Sequence, residues 1–289
     1  MIEKSIAVLG GDKRQLFCGS TFAKEGFKVY LAGFDRMKSY GDLIITDIDT
    51  ALKNGSIVVF PVTGIRGNNI PAYFSDKELK IGEREINLLK DKIVFCGKAD
   101  TIKSLCKDIS VYDYLACEQF AVANALPTAE GAIQVAMEKY EGLISGSKSL
   151  VIGYGRIGKI LSKLLRALNS NVTVSARKKE QFEYIISDGN KPINTKDIKT
   201  LNNYDLVFNT VPKLVIDEKV LKNTDINPLI IDLASNPGGV DFDSAKRLKI
   251  NAVHALSLPG KCYPKSAGEI TARTILNILK EEYGWQEQI

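Results

Sequence analysis

Histidine is almost absent from this chain: His254 is the only one in 289 residues. The five cysteines, Cys18, Cys96, Cys106, Cys117 and Cys262, form no C-x-x-C pair. Zinc needs clustered Cys and His ligands at set spacings, so the ligand supply argues against a metal site. An odd set of unpaired thiols reads as reduced and cytoplasmic. No apolar run approaches the roughly 20 residues that cross a bilayer, so no membrane contact is expected. Met1-Ile2-Glu3-Lys4 does not open a signal peptide. Lys and Arg outnumber Asp and Glu by 39 to 34, for a formal charge of +5, but they are scattered among acids. Without a basic run or interleaved aromatics, no nucleic acid is expected as a partner. Low-complexity segments and short repeats are missing too.

What is present is an ordinary globular composition, 45% hydrophobic and 25% charged, long enough for two domains with their own cores. The most informative local pattern is an apolar strand, Leu150 to Ile152, running into Gly153-Tyr154-Gly155-Arg156-Ile157-Gly158 and then a helix-spaced run to Leu168. In a G-x-G-x-x-G turn the first glycine allows a tight bend and the second lets backbone approach a pyrophosphate. The third lets the helix pack on the strand, and the helix N-terminus offers free N–H groups. The alternative is a plain glycine-rich turn, but strand, glycines, helix and a second strand (Asn171 to Ala176) in order favour a dinucleotide site.

The end of that second strand separates NAD from NADP. NAD sites place an acid there for the ribose hydroxyl. Here the run is Ser175-Ala176-Arg177-Lys178-Lys179, without an acid. Arg grips a 2′-phosphate well, so NADP is expected, with Ser175, Arg177 and Lys178 in its site. The alternative is a solvated start to the next helix.

Continuous apolar runs at 5–9, 27–32, 43–46, 57–62, 93–96 and 109–112 alternate with helical stretches. This predicts a parallel sheet covered on both faces. The expected fold is α/β: two Rossmann-like or flavodoxin-like parallel-sheet domains with a cleft between them, and a C-terminal helix returning to the first. The expected division is 1–125, completed by 264–289, then a linker helix over 126–147, then a cofactor domain over 148–263. Turns at the carboxyl ends of such strands form the binding edge. In the first domain these are Gly10-Gly11-Asp12-Lys13-Arg14, read as an anion site at a helix N-terminus or else a turn with no ligand, and Pro61-Val62-Thr63-Gly64. In the second they are Asn209-Thr210-Val211-Pro212 and Leu233-Ala234-Ser235, expected around the cofactor, and Pro259-Gly260-Lys261. Thr128 is expected to cap a helix that starts after Pro127, with Asn124 beside it. His254 lies in a strand and reads as a core or strand-end residue rather than a base.

Several of these segments together carry a resemblance: GGDKR, LAGFD (31–35), NALPTAEGAI (124–133), GYGRIGK, NTVP, DLASNPGGVDF (232–242) and LPGKCYPKSAG. In this order, over nearly the whole length, they resemble the dipicolinate synthase A-chain family. Cys262 falls at a variable position and has no expected role. The resemblance implies NADP-dependent oxidation of a dihydrodipicolinate-level intermediate, derived from 4-hydroxy-tetrahydrodipicolinate, in the mother-cell cytoplasm of a spore-forming bacterium. It also implies a partner, the flavoprotein-like B subunit of the synthase; a homo-oligomer is equally compatible.

The substrate would then be a small dicarboxylate needing two anion grips. Gly10, Gly11, Asp12, Arg14, Thr63, Asn124, Pro259 and Gly260 are the expected substrate contacts, and Lys261 and Thr128 the catalytic candidates. Lys261 would hold a carboxylate or transfer a proton, unless it is simply a solvated turn residue. The rival readings are a dehydrogenase of the alanine or 2-hydroxyacid type and a non-catalytic NADP-sensing module.

Overall fold

The protein is described by a computed structural model covering residues 4–285. The chain forms two compact units: one runs to Asn124 and resumes at Tyr263, the other is Ala125–Cys262. In chain order the strands of the first are β1 (Ser5–Leu9), β2 (Lys28–Ala32), β3 (Ile44–Thr46), β4 (Ile57–Val59), β5 (Asn69–Ile70), β6 (Leu79–Lys80), β7 (Ile93–Cys96) and β8 (Val111–Asp113). Its helices are α1 (Lys13–Lys24), α2 (Ile48–Asn54), α3 (Glu83–Leu89), α4 (Asp100–Leu105) and α5 (Glu118–Ala123). The second unit holds α6 (Ala125–Lys139), β9 (Lys148–Ile152), α7 (Arg156–Ala167), β10 (Asn171–Ala176), α8 (Glu180–Ser187), β11 (Lys191–Asn194), β12 (Leu206–Asn209), α9 (Glu218–Lys222), β13 (Leu229–Asp232), α10 (Phe242–Arg247), β14 (Ala252–His254) and α11 (Leu258–Cys262). The last helix, α12 (Pro264–Tyr283), returns to the first unit.

Both sheets are parallel and follow one plan. The first runs β3-β2-β1-β4-β7-β8 and the second β11-β10-β9-β12-β13-β14. The order therefore reverses between β1 and β4, and again between β9 and β12. In an open parallel sheet the carboxyl ends flanking that reversal are where ligands bind. The central strands are apolar on both faces because helices cover both: Ile6 and Val8 join one core cluster, Ala7 and Leu9 another. β9 divides in the same way, with Val151 in one cluster and Leu150 and Ile152 in the other.

The C-terminal helix packs on α1 because small residues let it come close. A Cβ on Gly268 would fall on the Arg14 carbonyl and 2.8 Å from Phe17 Cβ. Beyond this close approach, Ala272, Ile275, Leu276 and Leu279 bury its apolar face in the core formed with α1. The helix ends at Tyr283, so the expected boundary at 289 falls outside the described residues.

Four sequence expectations change. Residues 126–147 are not a free linker: Ala129, Ala132, Ile133 and Ala136 of α6 belong to the second unit's core. Thr128 does not cap that helix, which begins at Ala125 and carries Thr128 in its first turn. Pro127 is tolerated there because first-turn N–H groups have no helical acceptor. The Pro259-Gly260-Lys261 turn is helical, within α11, and Leu258 is pressed on α6 where Gly131 leaves room for it. Finally, the chain adds β11 and the β5–β6 hairpin. Pro192 sits in β11 without disrupting the sheet because that strand is at its edge.

Candidate functional site

The reversal in the second sheet falls on the glycine turn. Gly153 follows β9 with φ of 100°, in the left-handed region. A Cβ there would lie 2.6 Å from Thr210 Oγ1 and 2.7 Å from Val211 Cγ2, on the turn after β12. A Cβ on Gly158 would fall on the Gly153 carbonyl, so α7 can start this close to β9 only without a side chain. Gly155 is different: a Cβ there would meet nothing within 4 Å. It is the N-cap of α7 and caps no N–H with a side chain. The turn thus presents open backbone at the N-terminus of a 12-residue helix, the arrangement that holds a pyrophosphate. Arg156 follows it, exposed, and Ile157 is half-buried against the core.

Next to this turn is a cavity of ≈ 630 Å³, large enough for much of a dinucleotide. Gly153, Tyr154, Gly155, Arg177, Thr210, Val211 and Pro212 line it, joined by Thr195, Lys196, Lys199, Lys213 and Lys219. Among the described residues that line it, Asp217 is the one acid. Thr195, Lys196 and Lys199 carry no local sequence signal, because they follow β11, an edge strand without a continuous apolar run. Parallel pairing of Ala176 with Asn194 puts them beside Arg177. Lys178 is exposed and is not among the cavity-lining residues.

Some expected cofactor contacts have structural work instead. Ser175 is fully buried, and its hydroxyl meets Thr195 Oγ1 at 3.1 Å, tying the ends of β10 and β11 together. The Tyr154 hydroxyl donates to Asp188 at 2.6 Å, under Lys159 on the ring. That bond holds the Asp188 carboxyl below its ordinary range, while burial above all pushes the Tyr154 phenol up. Only the Tyr154 backbone is left for the turn. Asn209 is fully buried; its Nδ2 donates to Asp232 Oδ1 at 2.7 Å and to the Val211 carbonyl at 2.9 Å. The buried Asp232 carboxylate also accepts from the N–H groups of Ala234 (3.0 Å) and Gly239 (2.7 Å). Asn209 therefore shapes the turns after β12 and β13. Leu233 and Ala234 are buried, while Ser235 is exposed.

His254 lies at the end of β14. Its Nε2 is 2.9 Å from the Ala234 carbonyl, which can only accept, so the ring carries its proton on Nε2. The ring stacks on Phe242, with centroids 5.1 Å apart. This is a strand-end residue holding a loop. Lys261 is exposed on α11, with its backbone N–H on the Ser257 carbonyl at 3.1 Å; Pro259 is buried and Gly260 half-buried on the same short helix.

The reversal in the first sheet falls between Gly10-Gly11, after β1, and Phe60-Pro61-Val62-Thr63, after β4. Gly10 and Gly11 do not offer the expected free donors. The Gly10 N–H donates to the Ala32 carbonyl at 2.8 Å and the Gly11 N–H to the Pro71 carbonyl at 2.5 Å. The Tyr73 N–H returns to the Gly11 carbonyl at 3.1 Å, so the start of the loop that joins β5 to β6 is laid along the turn. Asp12 caps α1 by accepting from the Arg14 N–H at 3.0 Å. It also takes the Arg14 guanidinium, Nε at 2.9 Å and Nη2 at 2.7 Å. Arg14 is buried and charge-paired, so it is not the open anion grip expected. Asn124 closes α5 by donating its N–H to the Phe120 carbonyl at 2.8 Å.

Known proteins are similar to this chain in sequence and fold. The family described as the N-terminal domain of the dipicolinate synthase A subunit matches residues 5–115. The A subunit of dipicolinate synthase from Bacillus subtilis (strain 168) is 30% identical over 287 residues, covering 96% of each chain. The solved A subunit from Bacillus halodurans superposes with a TM-score of 0.87 at 27% identity, over 96% of this chain and 99% of that one. An L-alanine dehydrogenase shares the fold, with a TM-score of 0.65 at 13% identity over 96% of this chain and 90% of its own. With a relative 30% identical over 96% of both chains, the chain belongs to the dipicolinate synthase A-subunit family.

Proposed function

We propose that this chain is an NADP-dependent oxidoreductase that forms dipicolinate. It removes a hydride and a ring proton from a dihydrodipicolinate-level intermediate, derived from 4-hydroxy-tetrahydrodipicolinate, to give the aromatic pyridine dicarboxylate. The observation that carries the cofactor reading is the open Gly155 turn beside a cation-lined cavity with no acid at the end of β10. The substrate class rests on family membership.

When bound, the nicotinamide supplies a two-electron hydride acceptor. The chain's own part is to bind and orient. The Gly153–Gly158 turn and α7 hold the pyrophosphate; Arg177, with Lys196 and Thr195 beside it, takes the ribose 2′-phosphate. Lys213 and Lys199 add positive field, and Thr210, Val211 and Pro212 form the apolar edge of the same cavity. Thr63 contributes to the substrate side at the first sheet's reversal. Thr128 and Lys261 stay candidates for the second carboxylate. Aromatisation is strongly downhill, so water suffices as the proton acceptor. His254, spent on the Ala234 carbonyl, is not needed for it. The family reading also brings the synthase's B subunit in as partner and the mother-cell cytoplasm during sporulation as the setting.

The test is turnover. The chain, with and without its B subunit, is mixed with fresh 4-hydroxy-tetrahydrodipicolinate and NADP, and NADPH and pyridine absorbance are followed. Both should rise together. Tight NADP binding without turnover in either mixture would leave a cofactor-sensing module instead.

A further inference from the structure

We infer that the side-chain amide of Gln15, with the hydroxyl of Thr63, anchors a carboxylate of the ring substrate at the reversal point of the first sheet. The identity of the ligand rests on the proposed function; the anchor itself rests on the following geometry. Gln15 is 1% exposed, yet among the described residues neither Nε2 nor Oε1 has a hydrogen-bond partner. Buried polar groups are almost always paired, and leaving both ends of an amide unmade is costly, so each exception calls for a ligand or water. The side chain rises from the first turn of α1 and folds back over the Gly11 turn. A Cβ on Gly11 would lie 2.5 Å from Gln15 Cγ and 3.1 Å from Pro61 Cβ. Gln15 therefore lies where the ends of β1 and β4 flank the reversal, the expected ligand position of such a sheet. Thr63 is two residues beyond Pro61, and its Oγ1 is also buried without a partner.

Elimination points the same way. Three of the donors that the sequence offered at this edge are committed: Gly10 to Ala32, Gly11 to Pro71, and Arg14 to Asp12. Gln15 Nε2–H and Thr63 O–H are two donors suited to a carboxylate's acceptor-only oxygens. Recognition by neutral groups beside a charge-paired Arg14 selects shape and hydrogen-bond direction rather than charge alone.

The test uses the full chain with NADP present and dipicolinate as the probe. Binding is read by calorimetry, and thermal midpoints and NADP affinity are measured alongside. Gln15→Met keeps the length of the side chain and removes its polar end. It should raise the thermal midpoint and weaken dipicolinate by about 10-fold or more, as expected for one lost hydrogen bond, with NADP affinity unchanged. Thr63→Val, on a separate element, should weaken dipicolinate in the same direction and serves if Gln15→Met does not fold. Unchanged dipicolinate affinity in both variants overturns the inference and leaves the amide holding only a buried water. Turnover by the wild type is scored separately. Turnover with an unchanged KM in Gln15→Met sinks the anchor and keeps the function. Gln15-dependent dipicolinate binding without turnover keeps the anchor and sinks the function.

Discussion

If Arg177 takes a 2′-phosphate, as proposed, replacing it by Asp should remove the preference for NADP over NAD. The side chain follows β10 and lines the same cavity as Gly155, Lys196 and Lys199. A hydrogen bond to a charged group contributes about 1.5–3 kcal/mol, and Arg177 is exposed, so the lower end applies. That is about 10-fold in affinity. The new carboxylate then faces a nearly doubly charged phosphate. At about 5 Å in water, each charge pair costs roughly 0.8 kcal/mol, or about another 10-fold in all. Lys196 and Lys199 remain and offset part of this. The expected result is a loss of about 100-fold for NADP and less than about 3-fold for NAD. The assay is a fluorescence titration with each reduced cofactor at fixed ionic strength, and added salt should narrow the difference. Equal losses for both cofactors would mean that the 2′-phosphate lies elsewhere.

Three further outcomes follow from the packing. Gly158→Ala places a methyl group on the Gly153 carbonyl, so it should cost about 1–3 kcal/mol in thermal or denaturant unfolding and weaken both cofactors together. Asp232→Ala strands the buried donors of Asn209, Ala234 and Gly239, and should destabilise the second unit by about 3 kcal/mol or more in a urea titration. Burial pushes the Cys18 thiol far up and the Cys96 thiol to about 12. Unfolded thiols release their protons near pH 8.5 while these two still hold theirs. Their contribution is complete below that pH and is lost above it, at about 1.4 kcal/mol per pH unit for each thiol. Replacing both by Ala should flatten the alkaline fall in stability, which urea titrations between pH 8 and 10 would detect.

The sheets were legible because each central strand is a short apolar run covered on both faces. β1 and β7 can be read whole as apolar runs; for β9 only Leu150-Val151-Ile152 is apolar, and its polar start, Lys148-Ser149, carries no such signal. The glycine turn was legible because its requirements are local: a bend at Gly153, an open face at Gly155, a close helix at Gly158. The edge strand β11 was not, since Lys191-Pro192-Ile193-Asn194 has neither apolar continuity nor an obvious need to pair. With it went Thr195, Lys196 and Lys199. The first unit's edge misled for a different reason. Gly10 and Gly11 do form a turn, but their donors are taken by Ala32 and Pro71, partners far along the chain that no local pattern reveals. Arg14 looks like an anion grip in sequence, and its own neighbour Asp12 neutralises it. The unpaired amide of Gln15 carries no sequence signature at all. It becomes visible only when every buried donor and acceptor is asked for its partner.

Hydride transfer from the ring to the cofactor leaves an isotopic mark on the reduced nicotinamide. The protein, together with its B subunit, is incubated without oxygen, with NADP and with substrate deuterated at its ring carbons, and the NADPH formed is weighed by mass spectrometry. NADPH one mass unit heavier is expected, in equal amount to the dipicolinate made. Dipicolinate appearing with unlabelled NADPH, or with none, would mean that NADP does not take the ring hydride.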